Sequence, residues 1–130
     1  MLGKWPRTLR EIARRVNAGE ENFDAALLEF LDSFYANPDS RASALRDCPE
    51  SIDALRDAYV AAVAEHLARS YGLPIPEWTE VQGNDLHTPF FAGGLESLKG
   101  VLVAESPTAF RRRLLFVSKN ALSRPRLPQP

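Results

Sequence analysis

The strongest constraint on the fold lies in residues 51–71, SIDALRDAYVAAVAEHLARSY. Ile52, Leu55, Tyr59, Val63, Leu67 and Tyr71 recur there at helical spacing. A strand sends successive side chains to opposite faces and could not bury that set on one side. Ala58, Ala61, Ala62 and Ala64 are small enough to let neighbouring helices approach closely. The pattern predicts a helix from about Ser51 to Tyr71, stopped by Gly72. A helix this long with such a stripe needs other elements to cover it.

Several segments can supply that cover. Thr8 and Glu11 have capping-box spacing, so a helix is predicted from Leu9 to about Asn17, with Leu9, Ile12, Ala13 and Val16 on one face and Gly19 as its stop. Trp5 precedes it and could fold back onto that face. Asn22 is a good N-cap for a second helix reaching about Tyr35, carrying Phe23, Leu27, Phe30, Leu31 and Phe34 inward and Asp24, Glu29 and Asp32 outward. A short turn over Ser40–Arg46 should bury Ala44 and Leu45. Further on, a helix is predicted over Leu95–Ala104. Ser106 then reads as N-cap and Pro107 as first residue of a short helix to about Arg113. Leu115, Phe116 and Val117 read as extended, with a last turn from Ser118 to Leu122. Residues 1–7 and 125–130 read as flexible tails.

Between Leu73 and Gly94 the periodicity breaks. Pro74, Pro76, Pro89 and three glycines make an irregular connection, yet Leu73, Ile75, Trp78, Phe90 and Phe91 are too apolar for a solvated linker. The connection is therefore expected to pack onto the helices, with Trp78 as its structural anchor. The fold expected is all-α: a single compact helical domain of four to six helices over residues 1–130, with a proline-rich packed connection.

Composition fits this reading. A chain of 130 residues with 45% hydrophobic and 25% charged residues can bury a core without staples. Cys48, between acidic neighbours, is the only cysteine, so no internal disulfide can form, and it reads as an inert thiol. The N-terminus has no apolar signal region and no apolar run approaches the roughly 20 residues of a membrane span. A cytoplasmic protein is expected. The net charge of −1 conceals a pattern: residues 1–18 sum to +4 and residues 107–130 to +6, leaving −11 for the middle. The basic ends could form one face for an acidic partner, or pair with the acidic body.

No catalytic pattern emerges. There is no phosphate-binding Gly-rich loop, no nucleophile elbow and no His-Glu-x-x-His; Gly93–Gly94 lacks a following Lys and Ser/Thr. His66 lies beside the apolar stripe and reads as a partly buried, satisfied histidine. Asp85 and His87 are two ligands where a metal site needs more. The acids of the second and fourth helices read as solvated outer faces. Neither an enzyme, a metal site nor a cofactor is expected. Arg7, Arg10, Arg14 and Arg15 before a short Gly-containing turn could mark a degenerate helix-turn-helix, but the acidic second helix would repel phosphates.

The segment ESPTAFRRRLLFVSKNALSR is the most distinctive. Arg111, Arg112 and Arg113 stand between apolar anchors, and on a helix they would fan through about 200°. Phe110 and Leu114, four apart, should both face the core, with Phe110 and Phe116 structural. The arginines would then either clasp the acidic body or, with Lys119 and Arg124, bind a partner.

This segment, together with Gly72–Trp78 (GLPIPEW) and Gly94–Leu98 (GLESL), resembles a group of short uncharacterised bacterial proteins across roughly residues 65–124. Such proteins are often encoded beside nucleotidyltransferase-like proteins in arrangements resembling toxin–antitoxin pairs, and some resemble the C-terminal parts of helix-turn-helix regulators. The resemblance implies a protein-binding, antitoxin-like or accessory role, with a nucleotidyltransferase-like partner. It implies no catalytic residues. The other reading is a nucleic-acid-binding transcriptional regulator.

Overall fold

The computed structural model describes residues 7–81, 86–92 and 99–124. Trp5, Gly83, Asn84, Asp85, Gly93, Gly94, the expected helix start at Leu95–Leu98 and the C-terminal tail lie outside the described residues.

Helix α1 spans Leu9–Asn17, and Thr8 Oγ1 accepts from the Glu11 amide at 3.0 Å. Gly19 takes φ +76°, a left-handed conformation that suits glycine and turns the chain into the next helix. Helix α2 spans Phe23–Ala36, with Asn22 Oδ1 accepting from the Ala25 amide at 2.8 Å. Ala26, Leu27, Phe30, Leu31 and Phe34 are buried. A 3-10 turn over Pro38–Ser40 leads into α3, Arg41–Arg46, which buries Ala44 and Leu45. Arg41 closes the C-terminal end of α2: its Nε and Nη2 donate to the carbonyls of Phe34 (3.0 Å) and Tyr35 (2.9 Å), and its guanidinium lies 4.4 Å from the Tyr71 ring centre.

Helix α4 spans Ala54–Tyr71, so it starts later than the periodicity predicts. Asp53 is the N-cap and accepts from the Arg56 amide at 2.8 Å. Asp57 reaches back to accept from Ser51 Oγ (2.6 Å) and the Ile52 amide (2.7 Å), which holds those two residues outside the helix. Partial burial pushes the Asp53 carboxyl up, but the hydrogen bonds and charge of Arg56 outweigh it and hold it below its ordinary value. Ala58, every residue from Val60 to Glu65, Leu67 and Ala68 are buried, so α4 is surrounded rather than one-faced. Tyr71, expected inside, is exposed at its end. Gly72 closes the helix at φ +66°.

The proline-rich connection folds onto this core through a short helix α5, Trp78–Val81. Trp78 is half-buried, and its Nε1 donates to the Leu45 carbonyl at 3.0 Å. Leu73 and Phe90 also pack on the core, whereas Ile75, an expected pin, is exposed. The strand β1, Phe90–Phe91, follows Pro89; helices α6 (Lys99–Glu105) and α7 (Thr108–Arg111) lead to β2, Leu115–Phe116. The strands pair in parallel, Phe90 opposite Leu115 and Phe91 opposite Phe116, with the two facing phenylalanine rings stacked 5.0 Å apart. Parallel pairing needs a crossover, which α6 and α7 provide. The all-α expectation is corrected to mostly α: 60% of the described residues are helical and 4% are strand. Among the described residues no helix is long and apolar enough to cross a membrane.

Candidate functional site

The C-terminal segment is shaped by two local features. Ser106, expected as an N-cap, is buried instead. Its Oγ accepts from the Val117 amide (2.8 Å) and donates its one proton to the Leu102 carbonyl (2.6 Å), with the Val117 carbonyl also in reach at 3.0 Å. Pro107 takes the N-cap position of α7. Second, α7 stops at Arg111, and the chain tightens into i→i−3 bonds from Arg113 to Phe110 and from Leu114 to Arg111. Leu114 then adopts φ +63° and sends the chain into β2. The expectation that Phe110 and Leu114 share a helix face is therefore corrected. Phe110 is fully buried against Tyr59, and Leu114 is half-buried beyond the helix end.

This turn gives the arginines different fates. Arg113 is 3% exposed and points inward. Its Nη1 donates to Glu65 Oε1 (2.7 Å) and the Ala109 carbonyl (2.8 Å), and its Nη2 to the Thr79 carbonyl (2.9 Å). Its Nε is buried and has no hydrogen-bond partner among the described residues. Arg112 is partly exposed and joins Glu65 Oε1 (2.8 Å) to both carboxylate oxygens of Glu80 (2.8 and 3.1 Å). Arg69 Nε donates to Glu65 Oε2 at 2.8 Å. One fully buried carboxylate thus ties α4, α5 and the turn after α7 together. Burial alone would push Glu65 up, but the hydrogen bonds from Arg113 and Arg69 and the charges of Arg113 and Arg112 hold it below its ordinary value.

Reading the acids of α4 as solvated is corrected at Glu65. A signal was present in the sequence: Glu65 falls at i+3, i+4 and i+7 from Ala62, Ala61 and Ala58, the small residues at which other elements approach α4.

The remaining expected binding cations divide again. Arg124 grips Asp32 through two nitrogens, Nε at 2.8 Å and Nη2 at 3.3 Å. Arg111 is exposed, and its Nη2 donates to the Ser106 carbonyl at 2.7 Å. Lys119 is exposed, and its backbone amide donates to Glu105 Oε1 at 3.1 Å. Among the described residues, neither Arg111 nor Lys119 forms an ion pair.

At the N-terminal end, Arg7 pairs with Glu11 and Glu29, and its amide donates to Ser33 Oγ at 2.8 Å. Arg14 and Arg15 pair with Glu20, and Arg15 also with Glu21. The two ends meet along α2, where Arg124 holds Asp32 and Tyr35 Oη donates to the Leu122 carbonyl at 2.9 Å. Much of the terminal basic charge is therefore neutralised by the acidic middle. Arg10 stays exposed on α1.

His66 is half-buried with its ring edge-on to Phe110, and burial pushes it below its ordinary value. His87 and Cys48 are exposed. Among the described residues, no group of three or more His, Cys, Asp or Glu side chains could hold a metal ion. Comparison with protein-family models, with curated proteins and with solved structures finds no match to this chain.

Proposed function

We propose that the protein acts by binding another protein, as the antitoxin-like or accessory half of a two-gene system whose partner is a nucleotidyltransferase-like enzyme. The observation that supports this reading is the division among the C-terminal cations. Arg113, Arg112 and Arg124 meet carboxylates of the chain itself, while Arg111 and Lys119 are exposed and meet none among the described residues. Exposed cations that meet no carboxylate among the described residues suit an acidic partner surface, such as the rim of a metal-binding active-site cleft. Docking there would occlude the cleft. The nucleic-acid reading has less support, because Arg7, Arg14 and Arg15 already pair with carboxylates of the chain itself and are not left for phosphates.

Co-purification of the tagged chain with the product of the adjacent open reading frame tests the proposal. A stoichiometric complex that persists above about 0.3 M salt is expected, since an interface with an apolar centre weakens less with salt than phosphate contacts do. Nucleic-acid binding with a steep salt slope, and no protein complex, would overturn it.

A further inference from the structure

Helix α6 inverts the ordinary surface pattern. Leu102 and Ser106 turn inward, and Gly100, Val101, Val103 and Ala104 face out. At 100° per residue those four cover an arc of about 160°, and none carries a polar side chain. Val101 is 52% exposed and Val103 43%. A Cβ added at Gly100 would meet no atom within 4 Å. The face is thus a shallow hollow at Gly100 and Ala104, flanked by two valines. An exposed surface helix ordinarily turns polar residues to water.

Among the described residues, near the C-terminal end of this face stand two cations, Arg111 and Lys119, against one carboxylate, that of Glu105, which accepts from the Lys119 amide. Arg111 reaches the Ser106 carbonyl, one residue beyond α6, and Glu105 is the last residue of α6. Both side chains are exposed.

We infer that the outer face of α6 is the docking surface for an amphipathic acidic helix of a partner protein. That helix would seat an apolar ridge between Val101 and Val103 and direct carboxylates to Arg111 and Lys119. The inference rests on the partner-binding reading and names the element the partner offers. A helix fits because the hollow takes a row of side chains as a groove takes a ridge. Charge complementarity selects the acidic partner: a second copy of the chain would bring the same two cations.

The test uses the full chain and two synthetic 18-residue helical peptides, each with leucine and alanine on one face. One carries glutamate on the other face and its counterpart carries lysine. Saturable binding of the glutamate peptide is expected, weakened at least ~10-fold by the neutral substitution Val103→Asn and also by Arg111→Glu or Lys119→Glu. Val103→Asn should melt like the wild type, and if it does not, Val101→Asn serves in its place. Absence of binding, equal binding of the lysine peptide, or indifference to both valine variants would overturn the inference. So would a dimer of the free chain that Val103→Asn converts to monomer, which would assign the face to a second copy. Peptide binding without co-purification of the adjacent gene product overturns the functional proposal alone. Co-purification unaffected by the valine variants overturns this inference alone.

Discussion

Arg113 Nη1 lies 2.7 Å from Oε1 of Glu65, 48 residues earlier in the chain, with both side chains closed off from solvent. Such a pair is not itself a large source of stability, because desolvation offsets much of the attraction. Its consequence is asymmetric. Glu65 is contacted by three arginines, so it retains Arg69 and Arg112 when Arg113 is lost, whereas among the described residues Arg113 has no second carboxylate.

Glu65→Gln should therefore be the more damaging change. It leaves a buried guanidinium without counter-charge and should cost about 3–5 kcal/mol. Arg113→Met, of similar length and apolar, should cost less. Urea unfolding of the two variants measures the difference, and equal losses, or losses below about 1 kcal/mol, would show that the network does not organise the fold.

The pH dependence follows from the same residues. Glu65 has a folded value below its ordinary 4.5, so its contribution is present above about 4.5 and is lost as pH falls through the lower folded value. Glu80, held down first by its hydrogen bond to Arg112, and Asp53 act in the same direction. His66 is pushed below 6.5 by burial, so the unfolded chain takes up that proton first and stability begins to fall below about pH 6.5. Glu21 works in the opposite sense. It is raised first by its hydrogen bond to Glu29, so ionisation disfavours the folded state. Melting temperature should fall in two stages from pH 7 to pH 3. His66→Gln should flatten the upper stage and Glu65→Gln the lower. A melting temperature that rises on acidification to pH 5 would contradict the assignment of His66.

What the sequence revealed follows from the range of the interactions. The starts of α1 and α2 were legible because a cap and its amide lie three residues apart, Thr8 with Glu11 and Asn22 with Ala25. The centre of α4 was legible because its stripe repeats over many turns. The start of α4 was not, because Asp57 draws Ser51 and Ile52 out of the helix. Glu65 reads as a surface acid until Arg112 and Arg113 arrive from 47 and 48 residues away. The β1–β2 pair is two residues long and leaves no alternation to detect. It depends on Leu114 adopting a positive φ that leucine seldom takes, which no local pattern announces.

Trp78 offers a more modest test. Its side chain is only half-buried, so Trp78→Ala should cost about 2 kcal/mol, below the roughly 3–5 kcal/mol of a fully buried aromatic. Trp78→Phe keeps much of the packing and removes the Nε1 bond to the Leu45 carbonyl, which should cost about 1 kcal/mol. Denaturant midpoints for both variants check the division. If Trp78→Ala unfolds like the wild type, the proline-rich connection is not held by this residue.

The neighbouring arginines should separate binding from stability. Arg111 and Lys119 are exposed and hold no carboxylate among the described residues, so reversing either charge removes no ion pair there. Arg111→Glu does lose the partly buried bond to the Ser106 carbonyl, which should cost about 1 kcal/mol. Arg112→Glu is different. It would place a carboxylate beside Glu65 and Glu80, both within hydrogen-bond distance of the present guanidinium, and like charges at that spacing repel. The expected result is a lower melting temperature for Arg112→Glu, and near-normal melting with weakened partner binding for Arg111→Glu and Lys119→Glu. The binding loss should be under about 1 kcal/mol if the contact lies on a solvated rim and several-fold larger if it is desolvated. Melting temperature and partner affinity measured on the same three variants decide the matter. Unchanged affinity in both Arg111→Glu and Lys119→Glu would remove these cations from the interface, even if the complex itself forms.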